Sequence, residues 1–356
     1  MVDPATEQEY QAIMMLPWTP KIFYGIITDT FPICGSRKKG YIILMGSVQL
    51  ACCLSIALFD FGSAMPIVVL GVFINLSGAF MDVVVDGLMV QQQRIDPTYG
   101  SEELQSLSWA MYGVGGVGGA LLVGYTTEND CNGYAFMALA ILAFLITVVG
   151  CTMSMSLESS SEAIIRMSLC ERIKSNFRDI KTGFKIKEFH RAVLFFVILG
   201  TLVPSFSDYF YYYLTDYAGI TKFQYAMTTL ASYICLFGAA VLFNALLRDK
   251  NIHFMMVLAC LTNVYGAVTS LLLIIGWTFG MSNFIFMLGS TAVSEILYSV
   301  FVTLPSQIIF AKMIPQNIEA SLFAITTGLT NFANLFASKQ LGNLINHFIG
   351  ANEENL

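Results

Sequence analysis

The groups in this chain that can do chemistry are carboxylates and ammonium groups set within apolar sequence. Lys21, Gly25 and Asp29 share one apolar stretch, and the basic run Arg37, Lys38 and Lys39 follows just after Gly35. Asp82 and Asp86 lie four apart, so one helix face carries both. Asp208 precedes the aromatic run Tyr209–Tyr213, and Glu295 stands well inside the apolar run that starts at Met281. A charged side chain at the centre of a membrane helix costs about 2.5–3.5 kcal/mol to insert. Such groups therefore face a cavity, a partner charge or a solute pathway. Their chemistry is proton exchange, recognition of a charged solute, and the making and breaking of ion pairs. Two like charges one turn apart favour one of them holding a proton, which suits a proton carrier. Enzyme chemistry has little to work with. The His residues, His190, His253 and His347, are far apart, and the Cys residues show no metal spacing. No metal or cofactor is expected.

The elements that position these groups must be membrane spans. Apolar residues make up 56% of the chain and charged residues 12%, where a soluble domain carries roughly 25% charged residues. Mean hydropathy is +0.68. Phe, Tyr and Met, at 28, 16 and 18 residues, suit lipid contact and interfacial anchoring. The net charge of -6 gives no nucleic-acid footprint. The N-terminal MVDPATEQEY has neither a basic n-region nor a small-residue cleavage site, so insertion is expected to rely on the first spans.

A bilayer core needs about 20 apolar residues in a helix. Segments near 10–30, 41–60, 66–90, 104–126, 133–154, 190–214, 222–247, 252–276, 281–311 and 318–347 meet that test. The pattern predicts an N-terminal bundle over 1–153, a cytosolic central loop over 154–189 and a C-terminal bundle over 190–356. Basic and base-free loops alternate along the chain, which puts Arg37–Lys39 and the central loop on the cytosolic side or its equivalent. Within the loop, 154–161 reads as flexible linker. Ala163–Lys185 reads as a weakly amphipathic helix, lying on the membrane surface or solvated as a linker.

Several residues admit more than one role. Asp82 and Asp86 pair with Arg37–Lys39 across the cytosolic rim, as a gate would, contact proton or substrate, or are simply solvated. Glu295 either couples protons or contacts substrate, or it hydrogen-bonds a neighbouring helix. Lys21 either binds a solute carboxylate, pairs with Glu295 or Asp208, or snorkels to an interface. Tyr209 and its neighbours form an interfacial belt or a stacking surface, with Asp208 beside them. Gly115 and Gly119, with Gly116 between them, are spaced for close helix packing.

The first loop resembles that of the major facilitator superfamily, whose pattern is G-x-x-x-D, then G, then two or three basic residues. Here five residues, Thr30 to Cys34, separate Asp29 from Gly35, with Pro17 and Trp18 before them and Phe31, Pro32 and Ile33 inside. This longer form is similar to the folate–biopterin transporter family. So are Asp82, Val83 and Asp86, followed by Leu104, Gln105, Ser106, Trp109 and the glycines of 113–119. Pro315, Glu319, Ser321 and Asn331 continue the resemblance, which spans roughly Pro17 to Asn343.

The resemblance implies an all-α membrane protein of major facilitator type, with two pseudo-repeat bundles. It implies a monomeric multi-pass transporter that takes up folate, biopterin or related pterins by proton symport and alternating access. The partners implied are a pterin substrate, protons and the lipid bilayer. Alternatives are another small-molecule cargo, or a truncated membrane partner that does not transport. The simplest alignment makes the spans helices two to eleven of the usual twelve. Carried over, Asp29 docks at the N-terminus of the 318–347 helix, where Asn317 can cap. Gly25, Arg37, Lys38, Lys39, Asp82, Asp86 and Glu319 complete the gate. Lys21, Asp208, Tyr209, Glu295 and Asn331 are the substrate or proton candidates.

Overall fold

The computed structural model describes residues 10, 13–129, 131–154, 168–206, 210, 211, 213–316 and 318–349, which are helical apart from turns and one isolated bridge. The linker expected over 154–161 lies, from 155 on, outside the described residues. In chain order the helices are α1 (Lys21–Thr30), α2 (Lys39–Leu58), α3 (Ala64–Gln92), α4 (Gly100–Glu128), α5 (Asn132–Thr152), α6 (Leu169–Gly183) and α7 (Lys187–Leu202). They continue with α8 (Lys222–Leu242), α9 (Ile252–Ile274), α10 (Asn283–Tyr298), α11 (Leu304–Met313), α12 (Glu319–Asn331) and α13 (Ser338–Ile349).

Among the described residues, seven helical runs are long and apolar enough to cross a membrane. They correspond to the expected segments except those near 10–30, 190–214 and 318–347. Two exceptions are helices interrupted near proline, and the third is more polar. Pro17 and Pro20 confine the first to a 3-10 turn, Leu16–Trp18, and the short α1. Pro204 follows the end of α7, lacking a donor to continue it. The third, where a π-helical turn at Phe332–Ala337 joins α12 to α13, is diluted by Thr326, Thr327, Thr330, Asn331 and Asn334.

The freed backbone groups find partners, as groups inside a membrane must. Ser338 Oγ donates to the Val203 carbonyl, and the Ser205 N–H donates to the Ser338 carbonyl at 3.0 Å. Gly342 lets α13 press against Ser205, because a Cβ there would meet the Ser205 carbonyl oxygen.

The chain forms two compact units. One gathers Met1–Pro97, Leu121–Phe189 and Ala311–Gly328; the other gathers Thr98–Ala120, His190–Phe310 and Leu329–Leu356. In the first unit, Tyr24 of α1, Phe80 of α3 and Tyr41 of α2 stack with centroids 4.8 and 5.3 Å apart, and Ala320 and Ala324 of α12 join that core. Lipid tails are as apolar as these side chains, so packing contacts rather than water exclusion hold the helices together.

Helix α6 belongs to the same unit. Ile173, Asn176, Ile180 and Gly183 recur on its inward face, and Gly183 fits beneath Leu322 of α12, where a Cβ would come within 2.8 Å. That face is therefore covered by protein, which neither expected reading of the segment anticipated. Phe177 points outward and is exposed. In the second unit, Ala110 of α4 packs with Ala239, Ala240 and Phe243 near the end of α8, and with Val300, Leu304 and Ile308.

Candidate functional site

The loop between α1 and α2 is a tight hairpin. Ile33 and Ser36 exchange both backbone hydrogen bonds, at 2.8 and 3.0 Å. Cys34 (φ 50°) and Gly35 (φ 83°) both turn through the left-handed region, as a two-residue hairpin turn of this hand requires. The extra residues between Asp29 and Gly35 therefore build one arm of the hairpin. Its far side is fastened by the Tyr41 hydroxyl, which donates to the Phe31 carbonyl at 2.7 Å. Ser36 Oγ accepts from the N–H groups of Lys38 and Gly40, both at 3.2 Å, and so satisfies donors at the start of α2.

This turn swings Lys38 back onto Asp29. The ammonium lies 2.9 Å from Asp29 Oδ1, with both side chains 0% exposed. Asp29 Oδ2 accepts from the backbone N–H and the hydroxyl of Ser321, each at 2.7 Å. Ser321 sits in the first turn of α12, so a carboxylate from α1 caps the positive end of another helix. Gly25, one turn before Asp29, makes the approach possible. A Cβ there would fall 2.8 Å from both the Ala320 carbonyl oxygen and the Ser321 Cα.

A second ion pair closes the same helix start. Arg94 Nη1 lies 2.7 Å from Glu319 Oε1, and Nη2 donates to the Ile314 carbonyl at 3.2 Å. Gln91 Nε2 donates to Glu319 Oε2 at 3.4 Å, and Gln93 Nε2 donates to the Ala311 carbonyl. Glu319 is fully buried. Two carboxylates thus meet the N-terminus of α12, one from its own first turn and one from α1, each matched by a cation. Arg37 is also buried.

The remaining gate candidates divide differently from the expectation. Lys39 Nζ donates to the carbonyls of Cys151 and Met153 at 3.0 and 2.7 Å, capping the C-terminal end of α5. Asp82 pairs with Lys21, Nζ to Oδ2 at 2.7 Å, while Lys38 takes Asp29. The expected pairing of Asp82 with the 37–39 run is thus replaced, because the hairpin directs Lys38 to Asp29 and Lys39 to α5. Asp86 is half-buried one turn beyond Asp82.

Glu295 is half-buried in α10 and accepts from Ser299 Oγ at 3.1 Å, a partner one turn along the same run rather than on a neighbouring helix. A π-helical turn, Ser299–Thr303, begins at that serine. Asn331 ends α12 and is exposed. Asp208, Tyr209 and Asn317 lie outside the described residues.

The glycine expectation needs correcting. Among the described residues, a Cβ at Gly115 or Gly119 would meet nothing within 4 Å. Gly116 packs as expected, and Gly113 joins it in place of the other two: a Cβ on Gly113 would lie 2.9 Å from Phe237 N and Tyr233 O, and one on Gly116 would overlap the Tyr233 ring. A spacing of three selects the face toward α8, and the run of glycines left several phases open.

The sequence does not mark Trp18, Asn75, Gln91 or Arg94 as site residues. Their only signal was position: a Trp beside two prolines, an Asn on the face of the two Asp residues, and a QQQR run closing an apolar helix.

The profile of the BT1 family matches residues 1–356. The chain belongs to the BT1 family. This BT1-family chain is similar to a protein named folate-biopterin transporter from Synechocystis sp., 27% identical over 349 residues, covering 95% of this chain and 67% of the relative. It is also similar to one named probable folate-biopterin transporter 4 from Arabidopsis thaliana, 22% identical over 412 residues, covering 98% and 81%. Among solved structures, the major facilitator superfamily proton:xylose symporter XylE superposes with a TM-score of 0.67 at 13% identity, covering 98% of this chain and 82% of that one. The BT1-family chain therefore has the all-α major facilitator fold and is a multi-pass integral membrane protein.

Proposed function

We propose that this BT1-family protein is a secondary transporter that moves folate, biopterin or related pterins across a membrane by alternating access, coupled to protons. The names of its relatives support the cargo class. The observation that carries the mechanism is the capping of α12 by Asp29, with Lys38 locked behind it. A buried charged contact of this kind is discrete: its partners are either docked or apart. It gives the cytosolic side a lock that a conformational change must break. Gly25, Asp29, Lys38, Arg94 and Glu319 are its parts, with Arg37 buried in the same hairpin and Lys39 tying it to the end of α5. Lys21, Asp82, Asp86 and Glu295 are the intramembrane charges available for solute or proton. Asn331, Asp208 and Tyr209 complete the proposed set from the C-terminal half.

The test is uptake of labelled folate and of labelled biopterin by cells expressing the chain, at acidic and neutral external pH. Uptake above that of untransfected cells, stimulated by external acid, is the expected result. Uptake of either compound that ignores pH would remove the proton. Background uptake of both would remove the cargo class.

A further inference from the structure

The geometry points to a binding site within the first unit: Trp18, Lys21, Asn75 and Asp82 receive a flat heteroaromatic anion. Its carboxylate takes Lys21 from Asp82, and Asp82 takes up the coupling proton. This rests on the transporter reading above and gives that reading its residues.

The site is built by one stripe of α3. Asn75, Gly78, Asp82 and Asp86 recur at i, i+3, i+7 and i+11, which places them on a single helix face. The broken segment before α1 lies against this stripe. The Trp18 indole N–H donates to Asn75 Oδ1 at 2.9 Å, and Asn75 Nδ2 donates to the Gly71 carbonyl at 2.9 Å, so the ring is held by an amide that is itself held. Lys21 Nζ stands 4.7 Å from the indole centroid while it contacts Asp82.

The break in the helix has a use here. Helix α1 begins at Lys21 after Pro20, with no side-chain cap at its start. Discontinuous membrane helices present such positive ends to anionic solutes. The Pro17 carbonyl is satisfied by the Tyr24 hydroxyl at 2.9 Å, so the irregular backbone is built in.

Exposure is unequal across the ion pair. The Lys21 side chain is 11% exposed and that of Asp82 41%. The cation is anchored and the carboxylate is the partner that can leave. Trp18 also keeps an open face. The cluster thus offers an aromatic surface, a fixed ammonium, and carboxylates able to accept from the amino and ring N–H groups of a pterin.

Charge counting supplies the coupling. Lys21 pairs with Asp82, which balances the two charges within a span, and Asp86 stands one turn beyond. Adding a solute carboxylate alone would upset that balance where charge is expensive. Adding it together with a proton on Asp82 leaves the net charge unchanged. The other ionisable groups on the packed elements are committed elsewhere: Asp29 to Lys38, Glu319 to Arg94, Tyr24 to Pro17 and Tyr41 to Phe31. Lys38 Nζ also lies beside Gly87, one residue beyond Asp86.

The experiment compares folate, which carries carboxylates, with biopterin, which has none, in uptake by the full chain. Lys21→Gln is expected to raise the KM for folate about tenfold or more, the scale of losing one partner of a desolvated charge pair. The loss for biopterin is expected to be smaller than that for folate. Asp82→Asn is expected to abolish the acid stimulation of folate uptake and its accumulation against a gradient. Trp18→Leu weakens both compounds about tenfold, as loss of a stacking surface does, and Trp18→Phe restores most of it. If Lys21→Gln does not reach the membrane, the Lys21→Asp, Asp82→Lys double variant keeps an ion pair and is expected to lose acid-stimulated folate uptake. Equal losses for the two compounds in Lys21→Gln, or an unchanged pH response in Asp82→Asn, would overturn the proposal while leaving the transporter reading standing. Wild-type uptake of neither compound would overturn both.

Discussion

Asp29 and Ser321 stand 292 residues apart in the chain and share two hydrogen bonds of 2.7 Å, one from the serine N–H and one from its hydroxyl. The carboxylate that closes this contact also holds the Lys38 ammonium, so one buried group serves a helix cap and an ion pair together. Charge-assisted bonds of this length are the strong class. Removing any participant leaves a buried polar group without its match.

Asp29→Asn tests that arrangement most directly. The amide oxygen can still accept from Ser321, but Lys38 keeps its charge without a counterion. Breaking a buried pair by one partner costs about 3–5 kcal/mol. The thermal unfolding temperature in detergent and the rate of uptake are expected to fall, with insertion intact. A milder effect is expected when Lys38→Met is added, because the stranded charge is then gone. Unchanged uptake in Asp29→Asn would remove Asp29 from the gate.

Gly25 and Gly115 should respond in opposite ways to the same added methyl. At Gly25 the methyl carbon meets backbone of α12 at 2.8 Å, which cannot move aside as a side-chain end can. Overpacking of this kind costs about 1–3 kcal/mol. At Gly115 it meets nothing within 4 Å, and Ala is favoured over Gly in a helix by about 0.8–1 kcal/mol. Thermal unfolding of Gly25→Ala and Gly115→Ala therefore shifts down and up respectively. A drop at Gly115 as large as that at Gly25 would contradict this packing.

The start of α6 should depend on pH. Ser168 and Glu171 form a reciprocal capping box, and the Ser168 hydroxyl, then its backbone N–H, hold the Glu171 carboxyl below its ordinary value of 4.5. A group depressed in the folded state contributes stability that is full above its unfolded pKa. That contribution is lost as pH falls through the folded value. Amide exchange at the first turn of α6, relative to intrinsic rates, is expected to accelerate below about pH 4. Glu171→Gln keeps a box-forming side chain and loses this pH dependence. Identical profiles in the two proteins would show that the carboxylate is not the switch.

The sequence by itself determined the class and the inventory. A chain in which 12% of residues are charged, with apolar runs of bilayer length, has to be helical in a membrane, since lipid leaves backbone groups no partner but their own helix. The charges left inside those runs had to be special because each is costly, so Lys21, Asp29, Asp82, Asp86, Glu295 and Glu319 were all legible as candidates. Their pairings were not legible. Helical spacing says which residues share a face, whereas partners on different helices depend on how those helices are brought together. The hairpin at Cys34 and Gly35 sends Lys38 to Asp29 and leaves Lys39 for α5. The break at Pro17 and Pro20 brings Trp18 and Lys21 onto the Asn75–Asp82 face. Similarly, a run of five glycines satisfies several packing phases, and only the approach of Tyr233 and Phe237 selects Gly113 and Gly116. Local chemistry named the groups, and long-range packing chose their partners.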